Sequence, residues 1–586
     1  MPNWPIRRGQ LIAPFGVGAM IIMRDGISLI VCGLDHWFNR SNPDQVPVQT
    51  EEFYIKEERL EKQLGVDCFY MPPDYRIPRR GIFTPNADLK IPCLRFPTWH
   101  YCRRCGLLQK FPDTARKLPP CPDCEARGRK SYFVQVPFVT ICDFGHLHDF
   151  PWNEWVHRTP SPDCHGPLRL RSTGGLTLAN QRVTCEGCGT PARTLAGITN
   201  AAPDGTTTEL SSTLDFAGRP FLCTGSKPWL GAEARELCGR PLRGALRNAS
   251  NVYFAQIRSS IYLPQDISIP EELDSALREE RIWQLVEILQ GAGQLSGGIL
   301  RRQHPELLGS FSDDQIMTAI QQRTKVHSQA ADDSTPDHDP DTAFLYEEYR
   351  VLQEPHNHRE LQVRSVEVQQ YEPTIKKHFS RIMLIDRMRE TRAFAGFTRV
   401  YPESNQTLGE RLAMLWRNPP PPGKRWLPAY IVHGEGIFLE LNFQTLVAWQ
   451  TSQSAALLDR FEPLNMRYQT SLAMRGLHGK RISPVFVLVH TLSHLLINEL
   501  TYECGYSTAS LRERLYVSDN PKHPMAGLLI YTAAGDAEGT LGGLVQMGLP
   551  GRFDSVLGNA LAKASWCSAD PVCLELGSQG GRAQIR

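Results

Sequence analysis

The sequence predicts a multidomain α+β protein with a zinc-ribbon-containing N-terminal half, and two observations carry that prediction. Thirteen of the 16 cysteines lie before residue 239, in a region dense in Gly and Pro. In such regions metal sites substitute for a large apolar core. After residue 270, apolar residues recur at helical spacing, and the longest apolar helix candidate runs from Val485 to Tyr502.

The amino-acid composition limits the classes of protein to which this chain can belong. Apolar residues make up 41% of the 586 residues and charged residues 22%, which is typical of a globular chain. The net charge of +2 excludes a global nucleic-acid footprint, so any DNA contact requires a local patch. Without a transmembrane-length apolar run or a signal-peptide pattern, we expect a cytoplasmic protein with reduced cysteines and no membrane partner.

The chain divides into four predicted segments. In the first, Arg24-Asp25-Gly26 separates two β-like runs and predicts a hairpin. An acidic, proline-containing stretch near 326–342 predicts a linker within the third. The segments are a β-rich region at 1–100, a zinc-binding cysteine-rich region at 101–258, a helical or mixed region at 259–424, and a C-terminal domain at 425–586.

The first candidate metal site is a double CxxC pattern. Cys102 and Cys105 are followed, after fifteen residues, by Cys121 and Cys124. Two thiolates three residues apart can turn toward one ion, and a second such pair completes a tetrahedron. The pattern predicts a structural zinc ribbon.

Further cysteines predict a second zinc site, so that we expect about two ions. Cys185-x2-Cys188 would be joined by Cys223 and Cys238, with adjacent glycines to wrap the backbone around the metal. The alternative is four unrelated buried thiols. A third group has suitable ligand types without a repeated spacing, and either a zinc site or a histidine-rich core explains it: Cys142, His146, His148, His157, Cys164 and His165.

The C-terminal third contains two candidate ligand-binding features. His490 and His494 lie four residues apart, so both imidazoles share one helix face and can address one ligand. The alternative is a hydrogen-bonded pair at an interface. A glycine-rich loop over 535–544 is either a ligand cradle or a structural turn. The sequence lacks a complete phosphate loop, and we therefore expect no ATPase activity.

A basic cluster suggests a surface for phosphates. Seven cations lie within 24 residues that contain only two acids. Such a stripe can neutralise DNA phosphates, although a solvated face or a surface for an acidic protein partner would show the same pattern. The candidate DNA-binding residues are Lys376, Lys377, Arg381, Arg387, Arg389, Arg392 and Arg399.

Motifs spread along nearly the whole chain resemble those of the DrmB family, components of the DISARM anti-phage system. They include Gln10-Leu11-Ile12-Ala13-Pro14-Phe15-Gly16-Val17-Gly18, Gly145-His146-Leu147, Gly396-Phe397-Thr398-Arg399, His490-Thr491-Leu492-Ser493-His494, Glu503-Cys504-Gly505-Tyr506-Ser507 and Trp566-Cys567-Ser568-Ala569-Asp570-Pro571-Val572-Cys573. The C-terminal module resembles the zinc-binding domain fused to MrfA-type DNA-repair helicases. The resemblance implies a mixed α/β helicase-associated domain at 425–586. In the family, Cys567 and Cys573 lead into a further cysteine-bearing segment that completes a zinc site, whereas this sequence has no cysteine after Cys573, and two thiolates do not make a closed site.

The resemblance implies a function as well as a fold. It predicts a non-catalytic accessory subunit of a DISARM complex, which binds zinc, DNA and a DrmA-like helicase that carries the ATPase. Two alternatives remain open. One is a metal-dependent nuclease or phosphodiesterase that uses His490 and His494, with Asp536 as a further candidate. The other is a pure assembly scaffold without DNA contact.

Overall fold

The structure, a computed structural model, contains two compact units that interleave along the chain. Unit 1 comprises 1–260, 390–432 and 454–483, and unit 2 comprises 261–389, 433–453 and 484–586. The four linear segments predicted from the sequence stay a prediction. The structure describes residues 6–39, 48–74, 76, 86–87, 89–175, 177–202, 206–215, 220–264, 273, 276–277, 279–329, 340–403, 405–474, 477, 479, 481–506, 510–532 and 543–564.

The α+β prediction is confirmed, since helices and sheets are mixed in both units. The first sheet of unit 1 contains the predicted hairpin. Strands Met20–Ile22 and Ser28–Val31 pair antiparallel, Gly26 occupies the left-handed region at φ +83°, and Cys93–Arg95 completes the sheet. Glycine suits this turn because it has no Cβ to oppose a positive φ.

Two further sheets of unit 1 hold the cysteine-rich region. A three-stranded sheet has the order Leu147–Asp149, Phe138–Ile141, Arg243–Leu246. A six-stranded sheet has the order Arg193–Thr194, Gln181–Cys185, Leu168–Ser172, Leu107–Lys110, Trp99–Cys102, Phe133–Gln135. Short strands bury little apolar surface on their own, and the core of this region includes large side chains such as Trp152 and Trp155, both almost fully buried.

The remaining elements of unit 1 build a larger apolar core around residues from distant parts of the chain, among them Trp37, Phe69, Trp229, Phe394 and Phe397. Strand Cys68–Tyr70 pairs antiparallel with Tyr54–Ile55 and parallel with the start of Trp426–Leu441. The helices of unit 1 are Glu58–Leu64, Pro122–Glu125, Trp152–His157, Glu209–Thr213, Leu408–Leu415 and Ser454–Ala473.

Two long strands, Phe379–Thr398 and Trp426–Leu441, have residues in both units. Within unit 2 they are flanked on one side by Leu361–Val366 and His356–Asn357, and on the other by Met525–Thr532 and Leu511–Ser518. The strand Met525–Thr532 is buried at every position, which explains its continuous apolar sequence.

Helices pack against this sheet. A separate group of helices in unit 2 forms a small apolar core of its own. The predicted helix around residues 282–289 is present as Glu280–Gly291. It packs with its neighbours through Ile282, Val286, Leu300 and Ile316. The helices are Glu280–Gly291, Gly297–Gln303, Pro305–Leu308, Asp313–Gln329, Pro340–Leu352, Pro373–His378, Phe443–Ser452, Pro484–Cys504, Gly543–Met547 and Arg552–Ala564.

The predicted apolar helix is present as Pro484–Cys504. By length and composition it is the one helix, in the part of the chain described, that could cross a membrane. In unit 2 one face of this helix packs into the core, since Val489, Leu496 and Leu500 have no exposed surface and belong to an apolar cluster with residues of the sheet.

Candidate metal centres

The first centre brings together the two CxxC pairs. Gly106, at φ +79°, turns the chain between the strands that flank Cys105 and donates its N–H to the carbonyl of Cys102 at 2.9 Å. Cys121 precedes the short helix that carries Cys124. The sulfurs of Cys102 and Cys124 lie 3.7 Å apart, and those of Cys105 and Cys121 lie 3.5 Å apart. The structure therefore brings together the four cysteines that the double CxxC pattern predicted to share one site.

The second centre forms at the hairpin between Phe138–Ile141 and Leu147–Asp149. Cys142 and His146 occupy the two ends of its turn, with Cys142 Sγ 3.5 Å from His146 Nδ1. Cys238 Sγ lies 3.9 Å from Cys142 Sγ, and all four ligand atoms of Cys142, His146, Cys223 and Cys238 lie within 4.8 Å of one another.

The ring nitrogen of His146 that points away from Cys142 also has a hydrogen-bond partner. Its Nε2 hydrogen-bonds Glu236 Oε1 at 2.6 Å, and Lys227 donates to the other oxygen of Glu236 at 2.7 Å. A carboxylate partner on the second ring nitrogen selects the tautomer in which the first nitrogen has a free lone pair. His146 is thus oriented as a metal ligand through Nδ1.

The third centre lies at the end of helix Trp152–His157. His157 Nε2 is 3.3 Å from Cys188 Sγ, and Cys164 Sγ is 3.6 Å from Cys185 Sγ. The opposite nitrogen of the ring, His157 Nδ1, donates to the carbonyl of Asn153 at 2.8 Å. That hydrogen bond again leaves the nitrogen facing the thiols free to coordinate.

The predicted second set, Cys185, Cys188, Cys223 and Cys238, is wrong as one site. Cys185 ends a strand of the six-stranded sheet, whereas Cys223 and Cys238 lie on loops beside the hairpin of the three-stranded sheet. Each pair completes its site with ligands from the group left open by the sequence. Cys142 and His146 join one pair, and His157 and Cys164 join the other.

Two histidines of that open group lie outside the three ligand sets. His148 Nε2 hydrogen-bonds Cys223 Sγ at 3.1 Å, and burial lowers the pKa of His148 to about 4, so the ring is neutral. His165 Nδ1 accepts from the side-chain amide of Asn153 at 3.2 Å.

A local signal for these centres was missed in the sequence. In Cys164-His165-Gly166, Cys185-Glu186-Gly187 and Cys223-Thr224-Gly225, the glycine N–H donates to the cysteine sulfur two residues earlier, at 3.5, 3.4 and 3.3 Å. Such bonds stabilise a thiolate, which is the form that binds metal. The close approach requires glycine, because a Cβ on Gly166 would lie 2.4 Å from the backbone of Gly187.

The three donor sets fit zinc. One consists of four cysteines, and each of the other two consists of three cysteines and one histidine, which are the sets of structural zinc sites. With Zn–S near ~2.3 Å the edge of the coordination tetrahedron is about 3.8 Å. The sulfur–sulfur distances of 3.5 to 3.9 Å match that edge. With four ligands each and mostly buried sulfurs, the centres are closed.

A fourth cluster lies in unit 2. His490 and His494 share a face of helix Pro484–Cys504 as predicted, with their Nε2 atoms 3.0 Å apart. The structure adds Glu513, from strand Leu511–Ser518, whose Oε1 lies 3.3 and 3.5 Å from the two ring nitrogens. Residues 535–542 of the predicted glycine loop at 535–544 lie outside the described residues, as do Cys567 and Cys573.

The basic cluster does not form one surface. Arg399 has no exposed surface, and its guanidinium donates to the backbone carbonyls of Gly145 and Gly18 at 2.9 and 2.8 Å and to that of Val252. Arg392 is 2% exposed and pairs with Glu390 at 2.6 Å. The DNA-contact prediction is therefore wrong for these two arginines, because phosphates cannot reach them.

The other five cations lie in unit 2 with different exposures. Lys376 and Lys377 are exposed at the end of helix Pro373–His378, and Arg381 is exposed with Glu440 at 3.5 Å. Arg387 and Arg389 are half-buried, and Arg389 lies over the ring of Tyr262 at 5.5 Å. The accessible part of the cluster is therefore Lys376, Lys377 and Arg381.

Comparison with known proteins identifies the family. Residues 7–254, which contain the three cysteine-rich centres, match a domain of unknown function (DUF8724), and residues 492–579 match the MrfA Zn-binding domain. A DISARM protein DrmB from Bacillus paralicheniformis is 30% identical over 564 residues, which cover 94% of this chain and 90% of the relative. The chain belongs to the DrmB family.

Membership of the DrmB family confirms the resemblance seen in the sequence and makes the chain a DISARM defence component with a zinc-binding domain. The match to the MrfA Zn-binding domain includes His494 and Glu513 of the fourth cluster. The three cysteine-rich centres lie outside that match, in the N-terminal domain of unknown function.

Proposed function

We propose that the chain is a non-catalytic accessory subunit of a cytoplasmic DISARM complex, which binds three structural zinc ions, a DrmA-like helicase and DNA. The proposal rests on membership of the DrmB family together with the closed character of the three cysteine-rich centres. The expectation of about two ions is thereby raised to three.

The coordination of those centres supports a structural role. A catalytic zinc keeps one position open for water or substrate, whereas four protein ligands fill the shell. The ligands come from loops, strand ends and short helices of a region with short strands, so each ion would hold several segments of the chain together. These are the properties of a rigid platform rather than of a reaction centre.

Energy for any work on DNA would come from the partner. The sequence has no complete phosphate loop, and the glycine loop at 535–544 lacks the Gly-Lys-Ser/Thr ending that holds nucleotide phosphates. A separate helicase subunit with its own ATPase accounts for this absence.

DNA contact is assigned to the exposed cations of unit 2. Lys376 and Lys377 lie at the C-terminal end of a helix, and Arg381 begins the adjoining long strand. Three exposed cations would displace about three counterions, enough to give a measurable salt dependence without sequence specificity.

The experiment is to purify the full chain with and without a DrmA-like helicase. We expect stable copurification, ATPase activity in the helicase and complex but not in the chain alone, and salt-sensitive DNA binding by the complex. DNA binding that is identical for helicase and complex would leave only the scaffold function. Turnover by the chain alone, or metal-dependent DNA cleavage, would overturn the accessory-subunit proposal.

A further inference from the structure

We propose that His490, His494 and Glu513 form a fourth metal site, which binds a zinc-class divalent ion and keeps a coordination position open to solvent. This site differs in kind from the three centres above, because its donors are two imidazole nitrogens and a carboxylate oxygen without sulfur. It belongs to unit 2 and does not depend on the partner complex.

The positions of the three donor atoms match one face of a coordination tetrahedron. Their pairwise distances are 3.0, 3.3 and 3.5 Å. For metal–nitrogen and metal–oxygen bonds of about 2.0–2.1 Å, the edge of a tetrahedron is about 3.3 Å. The distance range therefore suits a small ion bound by N and O ligands.

Hydrogen bonding alone accounts poorly for this arrangement. His490 and His494 point the same nitrogen, Nε2, at one another and at a single oxygen of Glu513. Two Nε2–H donors would repel, and a ring that accepts through Nε2 would turn a lone pair toward the carboxylate. A cation placed between the three atoms satisfies all three lone pairs at once.

A second observation points to a ligand. Glu513 Oε2 is buried and has no hydrogen-bond partner among the described residues. A buried carboxylate oxygen without a partner costs free energy, and metal coordination by the carboxylate would offset that cost.

The scaffold under the site holds the donors in place. The two histidines lie one turn apart on a helix that packs another of its faces into the core, and Phe486 stacks on the ring of His490 at 5.8 Å. Glu513 lies on a strand that pairs along its whole length with Met525–Thr532. Metal binding would therefore join the helix to the sheet.

The outer side of the site is accessible. The side chain of His494 is 58% exposed, whereas those of His490 and Glu513 are 28% and 25% exposed. Three protein ligands on one side leave a position for water or an oxyanion, as in sites that polarise a bound molecule. The chemical class of ligand is thus a divalent transition metal with an exchangeable fourth ligand.

The test uses the full chain after its sulfur-rich sites have been filled with zinc, and Co²⁺ alone as the probe. We expect one further equivalent to bind with visible d–d absorption but without the sulfur-to-cobalt charge-transfer band of a thiolate site. Glu513→Gln and His494→Gln should weaken this binding at least about tenfold. Glu503→Gln, an exposed carboxylate on the same helix, is the matched control and should leave it unchanged.

Thermal unfolding distinguishes a loss of metal binding from a folding defect. Excess zinc should raise the Tm of the wild-type chain and of Glu503→Gln, but not that of Glu513→Gln, because a ligand stabilises only the state that binds it. The absence of an extra equivalent in the wild type would overturn the proposal. Equal binding by Glu513→Gln, or equal loss in Glu503→Gln, would overturn it as well.

Discussion

Glu236 accepts a hydrogen bond from the Nε2 of His146 at 2.6 Å, on the opposite edge of the ring from Cys142. The ring thus connects a carboxylate to a cluster of thiols, and Lys227 in turn fixes the carboxylate. A histidine with these hydrogen bonds has one tautomer and one orientation, so the ligand geometry is set before a metal ion binds.

This relationship makes Glu236 a positioning residue with a measurable effect. Glu236→Ala should weaken zinc binding at the second centre about 10–100-fold, because His146 loses the group that orients it. Competition with a chromogenic chelator measures the change. Glu233→Ala replaces an exposed neighbour and is the control, which should release zinc at the same chelator concentration as the wild type. An equal loss of zinc affinity in both variants would contradict the positioning role of Glu236.

The number and grouping of the zinc ions can be tested by elemental analysis. We expect about three tightly bound ions per chain, one from the four-cysteine centre and one from each centre with three cysteines and a histidine. Cys164→Ser and Cys223→Ser should each lose about one ion, because these cysteines belong to different sites.

The Cys164→Ser variant separates this grouping from the one predicted by spacing. If Cys185, Cys188, Cys223 and Cys238 shared one ion, Cys164→Ser would retain every zinc. Cys68→Ser, on a strand away from the centres, is the control and should keep the full complement. Retention of all ions in Cys164→Ser would refute the third centre.

Arg399 should affect stability and not DNA affinity. It is fully buried, and burial lowers its pKa to about 10, so that it stays charged at neutral pH. Arg399→Ala removes hydrogen bonds to three buried backbone carbonyls, and we expect a loss of about 3 kcal/mol or more in the free energy of unfolding.

Urea unfolding of the Arg399→Ala chain measures this loss, and Arg399→Lys should fall between it and the wild type because lysine cannot reach all three carbonyls. A variant with wild-type stability and weaker DNA binding would restore the original assignment of Arg399.

For the three exposed cations we expect an effect on DNA binding and not on stability. Replacing Lys376, Lys377 and Arg381 with Ala should leave stability close to that of the wild type. It should also flatten the dependence of log K on log salt for DNA binding by the complex, by up to about one unit per lost phosphate contact.

The matched control for that triple variant is Arg127→Ala, Arg129→Ala and Lys130→Ala, which removes the same charge from another exposed stretch. Equal salt slopes in both variants would refute the DNA assignment. Loss of helicase copurification in the first variant alone would assign its cations to a protein interface instead.

Local patterns in the sequence predicted several features well. The double CxxC indicated the first centre, and Arg24-Asp25-Gly26 indicated the hairpin, because both depend on residues close along the chain. The i, i+4 spacing of His490 and His494 likewise placed two rings on one helix face. In each case the physics that forms the feature is contained in a short segment.

Features that depend on distant residues were missed or misassigned. Cys223 and Cys238 were grouped with Cys185 and Cys188 on the evidence of adjacent glycines, although their partners, Cys142 and His146, lie on a hairpin earlier in the sequence. Glu513 could not be connected to the histidines, since the helix and strand meet only in the folded sheet. Arg399 looked like a member of a basic surface until its burial showed otherwise.

Composition and short motifs are sufficient to establish the class of this protein: a DrmB-family chain of helices and sheets, rich in thiols and lacking a phosphate loop. They are sufficient because ligand type and local spacing are properties of the chain. Folding was needed to establish which thiols share a site, which cations reach solvent and which carboxylate meets the two histidines. Those relations depend on distances between segments, and packing sets such distances.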